Sequence, residues 1–211
     1  MGVLANIRND YHQNVLSEQD VLKDPIQQTK KWLQEAIEQN TQEPTAMNLS
    51  TVSAHGRPSS RIVLLKEITP DGFVFFTNYF SKKGSEIAVN PYAAMTLFWK
   101  EMERQVRIEG KIEKISAAES DQYYYSRPLG SRIGAIVSPQ SQVIADRAIL
   151  EEKVKELEQL PEQEIKRPEN WGGYKLIPDY IEFWQGRTNR LHDRLAFTLE
   201  NGNWKLERLA P

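Results

Sequence analysis

Residues 104–116, RQVRIEGKIEKIS, alternate apolar and polar side chains over a run that is long for a strand, and Gly110 interrupts it. Val106, Ile108, Ile112 and Ile115 stand among polar neighbours. A glycine inside such a run marks a bulge or bend of the kind a barrel needs. The flanking segments have the same character. NLSTVSA (48–54) and SSRIVLLK (59–66) sit on either side of AHGRP, a turn centred on Gly56 and Pro58. TPDG (69–72) turns the chain into FVFFTN (73–78), and AAMTLFW (93–99) follows a short helix, SKKGSEIAVN. Near the C-terminus YIEFWQ (180–185), RLAFTL (194–199) and NWKLERL (203–209) read as strands, the last two joined by the hairpin turn ENGN. Consecutive strands with one short helical insertion predict a mainly β fold with helices (α+β), an antiparallel barrel rather than a doubly wound parallel sheet.

The helical segments frame this sheet. Residues 1–24 are polar and irregular and are expected to form a flexible arm, with Tyr11 its one large aromatic. Pro25 opens PIQQTKKWLQEAIEQN, whose apolar stripe is Ile26, Trp32, Leu33 and Ile37. SAAESDQYYYSRP reads as a helix, and SQVIADRAILEEKVKELEQL as another with a thin stripe of Val143, Leu150, Val154 and Leu157. Residues 161–172 form a Pro-rich connection. Residues 25–211 then make a single domain.

Composition narrows function. A net charge of -2 supplies no basic field for a nucleic-acid backbone. The chain has no Cys, which excludes disulfides and thiolate metal sites, and its three His show no metal-binding spacing. No metal is expected. No apolar run approaches membrane-spanning or signal-peptide length, so no membrane association is expected and the reading is a cytoplasmic protein.

Four clusters carry chemistry. In RIVLLK (61–66), alternation puts Arg61 and Lys66 on opposite faces, either as ligand contacts or as charges at the wet ends of a buried strand. In TNYFSKKGSEI (77–87), Ser81 caps a helix that begins with Lys82 and Lys83. Cations beside free backbone N–H groups make a phosphate cradle or a solvated basic turn. In QYYYSRPLGS (122–131), Tyr123 and Arg127 share a helix face, and Ser131 follows the Pro128 break. The set is a phosphate site or a surface Tyr–Arg stack. WQGRTNRLHDR (184–194) holds Trp184, suited to stacking on a flat ring. Arg190, His192 and Arg194 share a face if the segment is extended, and the alternative is a surface loop with Asp193 pairing an arginine.

RIVLLK, FFTN followed by SKKG, ERQVRIEG, YYYSRPLGS, VSPQSQ, FWQGRTNRLHDR and the terminal ERLAP stand in one order from about Arg8 to Pro211. In these motifs the chain resembles the pyridoxamine 5'-phosphate oxidase family. That resemblance implies an FMN-binding split β-barrel, homodimeric, with dimerisation and active-site residues in the segment from about 165 to 211. It implies oxidation of pyridoxamine and pyridoxine 5'-phosphates to pyridoxal 5'-phosphate by hydride transfer to FMN, with O2 regenerating the flavin and giving hydrogen peroxide. By the same resemblance Arg61, Lys82 and Lys83 hold the FMN phosphate, Ile62, Val63, Leu64 and Leu65 line the cofactor through their backbone, and Phe76 and Thr77 sit near the flavin. Gln105, Gln140 and Ser141 give polar contacts, partly from the second subunit, and Trp184 and Arg194 complete the flavin pocket. Lys66, Tyr123, Arg127 and Ser131 clamp the substrate phosphate, with Lys66 bordering the cofactor as well. Arg190 and His192 face the substrate ring as the catalytic pair, and Arg8, Asn9, Asp10 and Tyr11 match a segment that closes over it. Lys82 and Asn9 stand where relatives often carry Arg, so at residue 82 a point charge replaces a forked donor. The alternatives are another split-barrel flavin oxidase or reductase, and a non-catalytic protein that binds FMN or pyridoxal phosphate.

Overall fold

The computed structural model describes residues 10–211. Nine antiparallel strands make one curled sheet: β1 (Ala46–Val52), β2 (Pro58–Leu64), β3 (Glu67–Thr69), β4 (Gly72–Asn78), β5 (Tyr92–Trp99), β6 (Arg104–Lys114), β7 (Trp171–Gln185), β8 (Asp193–Glu200) and β9 (Asn203–Leu209). The order is β2-β1-β5-β6-β7-β4-β3, with β8 and β9 continuing from β7. Lys66 N donates to the Val74 carbonyl at 2.8 Å, so the end of β2 reaches β4 and draws the sheet round on itself. Five helices pack outside: α1 (Pro25–Glu38), α2 (Lys82–Val89), α3 (Ala117–Ser126), α4 (Leu129–Val137) and α5 (Ala148–Glu158). Among the described residues no helix is long and apolar enough to cross a membrane.

Strand β7 organises the sheet. One edge pairs with β6 along most of its length. The other pairs first with β4, through Trp171–Leu176, and then with β8, through Tyr180–Gln185. The handover falls at a bulge, where Glu109 faces Tyr180 and Gly110 faces Pro178 while Asp179 has no partner on β6. Pro178 is tolerated there because the ladder is already interrupted. A Cβ on Gly110 would lie 2.1 Å from the Ile177 carbonyl oxygen, so only glycine lets the strands approach. The bulge expected at Gly110 is therefore present.

The core inside the curl includes Met47, Leu49, Phe75, Met95, Leu97, Val106, Ile108, Phe183 and Phe197. Helix α1 closes it. Asp24 caps the helix N-terminus and Pro25 starts it. Ile26, Thr29, Trp32 and Ala36 are buried, and Trp32 meets Phe183 edge-on at 5.1 Å.

Several expectations need correction. The stripe of α1 does not include Ile37, which is exposed while Ala36 is buried. The 161–172 connection ends early because β7 begins at Trp171, fifteen residues long instead of the six expected. Its first half, WGGYKLIP, carries no alternation because nearly every residue is covered. The break expected at Pro128 is present between α3 and α4, but a helix follows it at once, and the glycines of α4 masked its period. Val143 lies outside any helix and is 99% exposed, so the stripe begins only within α5. Residues 10–24 precede α1 without strand or α-helix, as expected, yet they are docked on the domain. Leu16 is buried, its N–H reaches Asp193 at 3.1 Å, and Arg208 grips Glu18 through two nitrogens.

Replacing Gly110 by Ala forces backbone against backbone at the bulge. A loss of at least about 2 kcal/mol is expected, read as a lower Tm, whereas Gly130→Ala, at an exposed helical position where an added Cβ meets nothing, should change stability little.

Candidate active site

A cavity of about 510 Å³ opens between β2, β4, α2, α3 and α4. Ile62, Val63, Leu64, Lys66, Phe76, Thr77, Lys83, Tyr123, Arg127, Ser131 and Gln140 line it, with Pro128 and Trp171. Three cations and no carboxylate are in that lining. The sheet and helices fix each group. Ser81 caps α2 by accepting from Gly84 N at 3.3 Å, so Lys83 falls on the buried side of the first turn and Lys82 on the exposed side. Lys83 Nζ donates to two neutral oxygens, Thr77 Oγ1 at 3.3 Å and Gln140 Oε1 at 3.4 Å. Burial, then the nearby Arg61 charge, lowers its pKa. An anion beside it would relieve both costs.

Arg61 is held by a buried network. Its guanidinium donates to Thr51 Oγ1 at 2.6 Å, Ser59 Oγ at 2.7 Å and Glu86 Oε2 at 3.3 Å. Burial alone would raise the Glu86 pKa, but hydrogen bonds from Ser59, Thr51 and Arg61 bring it below the ordinary carboxylate value. Across the cavity, Tyr123 stacks on Phe76 with ring centroids 3.8 Å apart, and Trp171 continues the stack at 5.6 Å from Phe76. The Arg127 guanidinium lies over Trp171 at 4.7 Å. Its Nη1 is buried without a partner among the described residues. That orphaned donor, beside Ser131 in the first turn of α4, is what an anionic group would satisfy.

A second cluster stands at the far end of β7. Trp184 and Arg194 are cross-strand partners, and Gln105 pairs with Trp184 from the other side. Glu182 fixes Arg194 through both carboxylate oxygens at 2.8 and 3.0 Å and also takes Arg107 and Tyr180. Burial works against ionised Glu182, and these donors outweigh it and lower its pKa. His192 lies 4.7 Å from the Trp184 ring, and Tyr11 meets both rings edge-on. His192 Nδ1 accepts from Arg187 N at 3.0 Å, so the neutral ring carries its proton on Nε2. Burial and the Arg190 charge lower the His192 pKa, which keeps it neutral at pH 7.

The structure thus brings together Lys66, Tyr123, Arg127 and Ser131 with Ile62–Leu64, Phe76, Thr77, Lys83 and Gln140. It holds Gln105, Trp184, His192 and Arg194 apart from them. From Gly173, opposite Phe76, to Trp184 the strand runs eleven residues, roughly 35 Å of contour. Leu65 turns its side chain into the core, Lys82 points to solvent, and Ser141 is exposed at a φ of 73°. Asp10 is exposed, and Arg8 and Asn9 lie outside the described residues. Of the two readings of this segment, the structure shows the loop: Thr188–Arg190 is a 3-10 turn with left-handed φ values at Asn189 and Arg190, and β8 starts at Asp193. Asp193 does pair with arginines, Arg187 and Arg208. Trp171 escaped sequence reading because it sat in an apparent linker. Glu86 and Glu182 escaped because a lone acid in a strand or helix carries no motif.

Fold and sites together define a split-barrel protein that receives anionic, ring-bearing molecules. Residues 33–161 match the family model described as "Pyridoxamine 5'-phosphate oxidase", and residues 171–211 match that of the "Pyridoxine 5'-phosphate oxidase C-terminal dimerisation region". Relatives named pyridoxine/pyridoxamine 5'-phosphate oxidase are 53% identical in Cyanothece sp., covering 99% of this chain and 98% of that one. The counterpart in Actinobacillus pleuropneumoniae serotype 3 is 55% identical over 99% of both chains. The crystal structure of PhzG from Burkholderia lata, solved with tetrahydrophenazine-1-carboxylic acid, superposes with a TM-score of 0.87 at 31% identity over 94% of this chain and 98% of that one. A pyridoxamine 5'-phosphate oxidase-related, FMN binding protein from Nostoc punctiforme shares the fold at a TM-score of 0.71 and 17% identity, covering 86% and 96%. The chain belongs to the pyridoxamine 5'-phosphate oxidase family, and it forms a homodimer.

Protonating His192 would turn its Nδ1 into a donor facing the Arg187 N–H, so the two would repel. Because its pKa is lowered, the unfolded chain takes up this proton first, and the neutral form is kept until the pH falls below the ordinary histidine value of about 6.5. The acid limb of activity that depends on His192 is therefore expected below that value and should vanish in His192→Asn. An acid limb centred above it would contradict this assignment.

Proposed function

We propose that the chain oxidises pyridoxamine 5'-phosphate and pyridoxine 5'-phosphate to pyridoxal 5'-phosphate in the cytoplasm, with FMN as its cofactor. The observation that carries this reading is one carboxylate-free cavity lined by three cations, Lys66, Lys83 and Arg127, with the Arg61 charge close to Lys83. The residues fit FMN. Lys83 and Arg61 would hold its phosphate, with Lys82 adding field from the rim, while Thr77, Gln140 and the backbone of 62–65 would border it. Lys66, Tyr123, Arg127 and Ser131 would clamp the substrate phosphate, and the unpaired Arg127 Nη1 supports that role.

The second cluster would reach this cavity from the other subunit. Residues 25–211 then act as one domain, in which the segment from about 165 to 211 contributes to the partner's site. Trp184 and Arg194, with Gln105 and Ser141, would complete the cofactor pocket. His192 would donate from Nε2, and Arg190 from its guanidinium, to the ring oxygen of the substrate, fixing the ring for reaction. Asp10 and Tyr11, with Arg8 and Asn9, would cover the ring and exclude water. FMN, when bound, supplies the acceptor for a hydride equivalent from the exocyclic carbon and passes the electrons to O2, which leaves as hydrogen peroxide. For pyridoxamine 5'-phosphate the resulting imine hydrolyses and releases ammonia.

Anaerobic addition of pyridoxine 5'-phosphate to the flavin-loaded protein should bleach the flavin band, and a band that persists would sink the oxidase reading. Unphosphorylated pyridoxine leaves the clamp's donors unpaired, so its kcat/KM should fall by about 10³ or more. In Arg127→Met that preference should shrink by at least about tenfold. Equal efficiency of wild type on both forms would refute the clamp.

A further inference from the structure

Tyr11 sits in a niche that one residue builds from two sides. Its floor is Gly186, where a Cβ would lie 2.7 Å from Tyr11 Cγ and 3.0 Å from Glu103 Cβ. Its walls are Trp184, 5.7 Å away, and His192, 5.8 Å away. The Glu103 carbonyl accepts from Gly186 N at 2.7 Å and from Gln185 Nε2 at 3.2 Å, which fixes the floor. The Glu103 carboxylate accepts, on Oε2, from His12 N at 3.0 Å and Gln13 N at 3.1 Å, which fixes the chain just beyond Tyr11.

Glu103 does this from a left-handed backbone, with a φ of 54°, at the end of the 3-10 turn Lys100–Met102. A glycine would adopt that conformation with less strain. What the glutamate adds is an acceptor for two N–H groups in a segment that has no helix or strand of its own. Further along, Leu16 is held by Asp193 and Arg208, so among the described residues Glu103 is the side chain that bonds the backbone just after Tyr11.

We propose that Glu103 is a positioning residue for the reaction, acting through Tyr11 on the orientation of His192 and Trp184. This rests on the reading of His192 and Tyr11 as substrate-facing groups. Glu103 itself touches neither substrate nor cofactor in that reading. Its carboxylate turns the segment around Tyr11 from a loose cover into a seated one, and the benefit falls on binding of the substrate ring rather than on the phosphate clamp.

The test is a double-mutant cycle in the flavin-loaded full chain, using Glu103→Gly and Tyr11→Ala with pyridoxine 5'-phosphate. Glu103→Gly should fold normally and retain flavin, yet raise KM roughly tenfold with kcat changed less than about threefold. Glu103→Gln, which keeps one neutral acceptor, should fall between. In the Tyr11→Ala background Glu103→Gly should add less than about a twofold effect, because the two act as one unit. Independent, multiplying effects would overturn the proposal. Amide exchange at His12 and Gln13 gives a readout free of turnover: it should speed up in Glu103→Gly, and unchanged exchange would also overturn it. A wild-type protein with no turnover but with exchange that responds to Glu103 would instead locate the failure in the reading of function. Should Glu103→Gly not fold, Glu103→Asn tolerates the same φ and carries the same expectations.

Discussion

The Ile177 carbonyl passes so close to Gly110 that no side chain can stand between them, and the rest of the molecule is arranged around that contact. It is the point at which β7 releases β4 and takes up β8. The bulge lies in the β6 ladder and bends β7 where its other edge changes partner. The bulge lets one strand serve two neighbours in succession, so its start joins the wall of the cavity while its end carries Trp184 and Gln185. Architecture and placement of function are thus one decision, made where a backbone has to approach a backbone.

Electrostatics sorts the cations into two kinds. Arg61 and Arg194 are each pinned by a buried carboxylate, Glu86 and Glu182, which also accepts from hydroxyls or a second arginine. These guanidiniums cannot swing away, and they present a fixed fork. Among the described residues Lys83 and Arg127 have no such carboxylate: one leans on neutral oxygens, the other on an aromatic face with a nitrogen left over. The first pair is scaffolding for a charge pattern. The second pair keeps donor capacity that an anion would satisfy.

Most strands and the bulge were legible because alternation and turn residues leave a local trace, as around Gly110, Asp71 and Asn201. The first half of β7 was not, since a strand covered on both faces has no period, and α4 was not, since Gly130 and Gly134 blur one. Many candidate site residues were legible as basic, hydroxyl or aromatic groups gathered in short motifs. Their supports were not: Glu86 meets Arg61 across 25 residues and Glu103 meets His12 across 91, and nothing in the local sequence announces either encounter. The turn at Asn189 and Arg190 was not legible either, because two arginines and a histidine at even spacing imitate a strand face.

One strand that holds a different half-site at each end has a genetic consequence when two such strands pair. Under the shared-site reading, a chain damaged only at Lys83 and a chain damaged only at His192 are each inactive as pure homodimers. Co-expressed, they assemble mixed dimers in which one site collects both lesions and the other collects none. The two defective alleles would then complement each other, and the level of recovery would measure how freely subunits exchange.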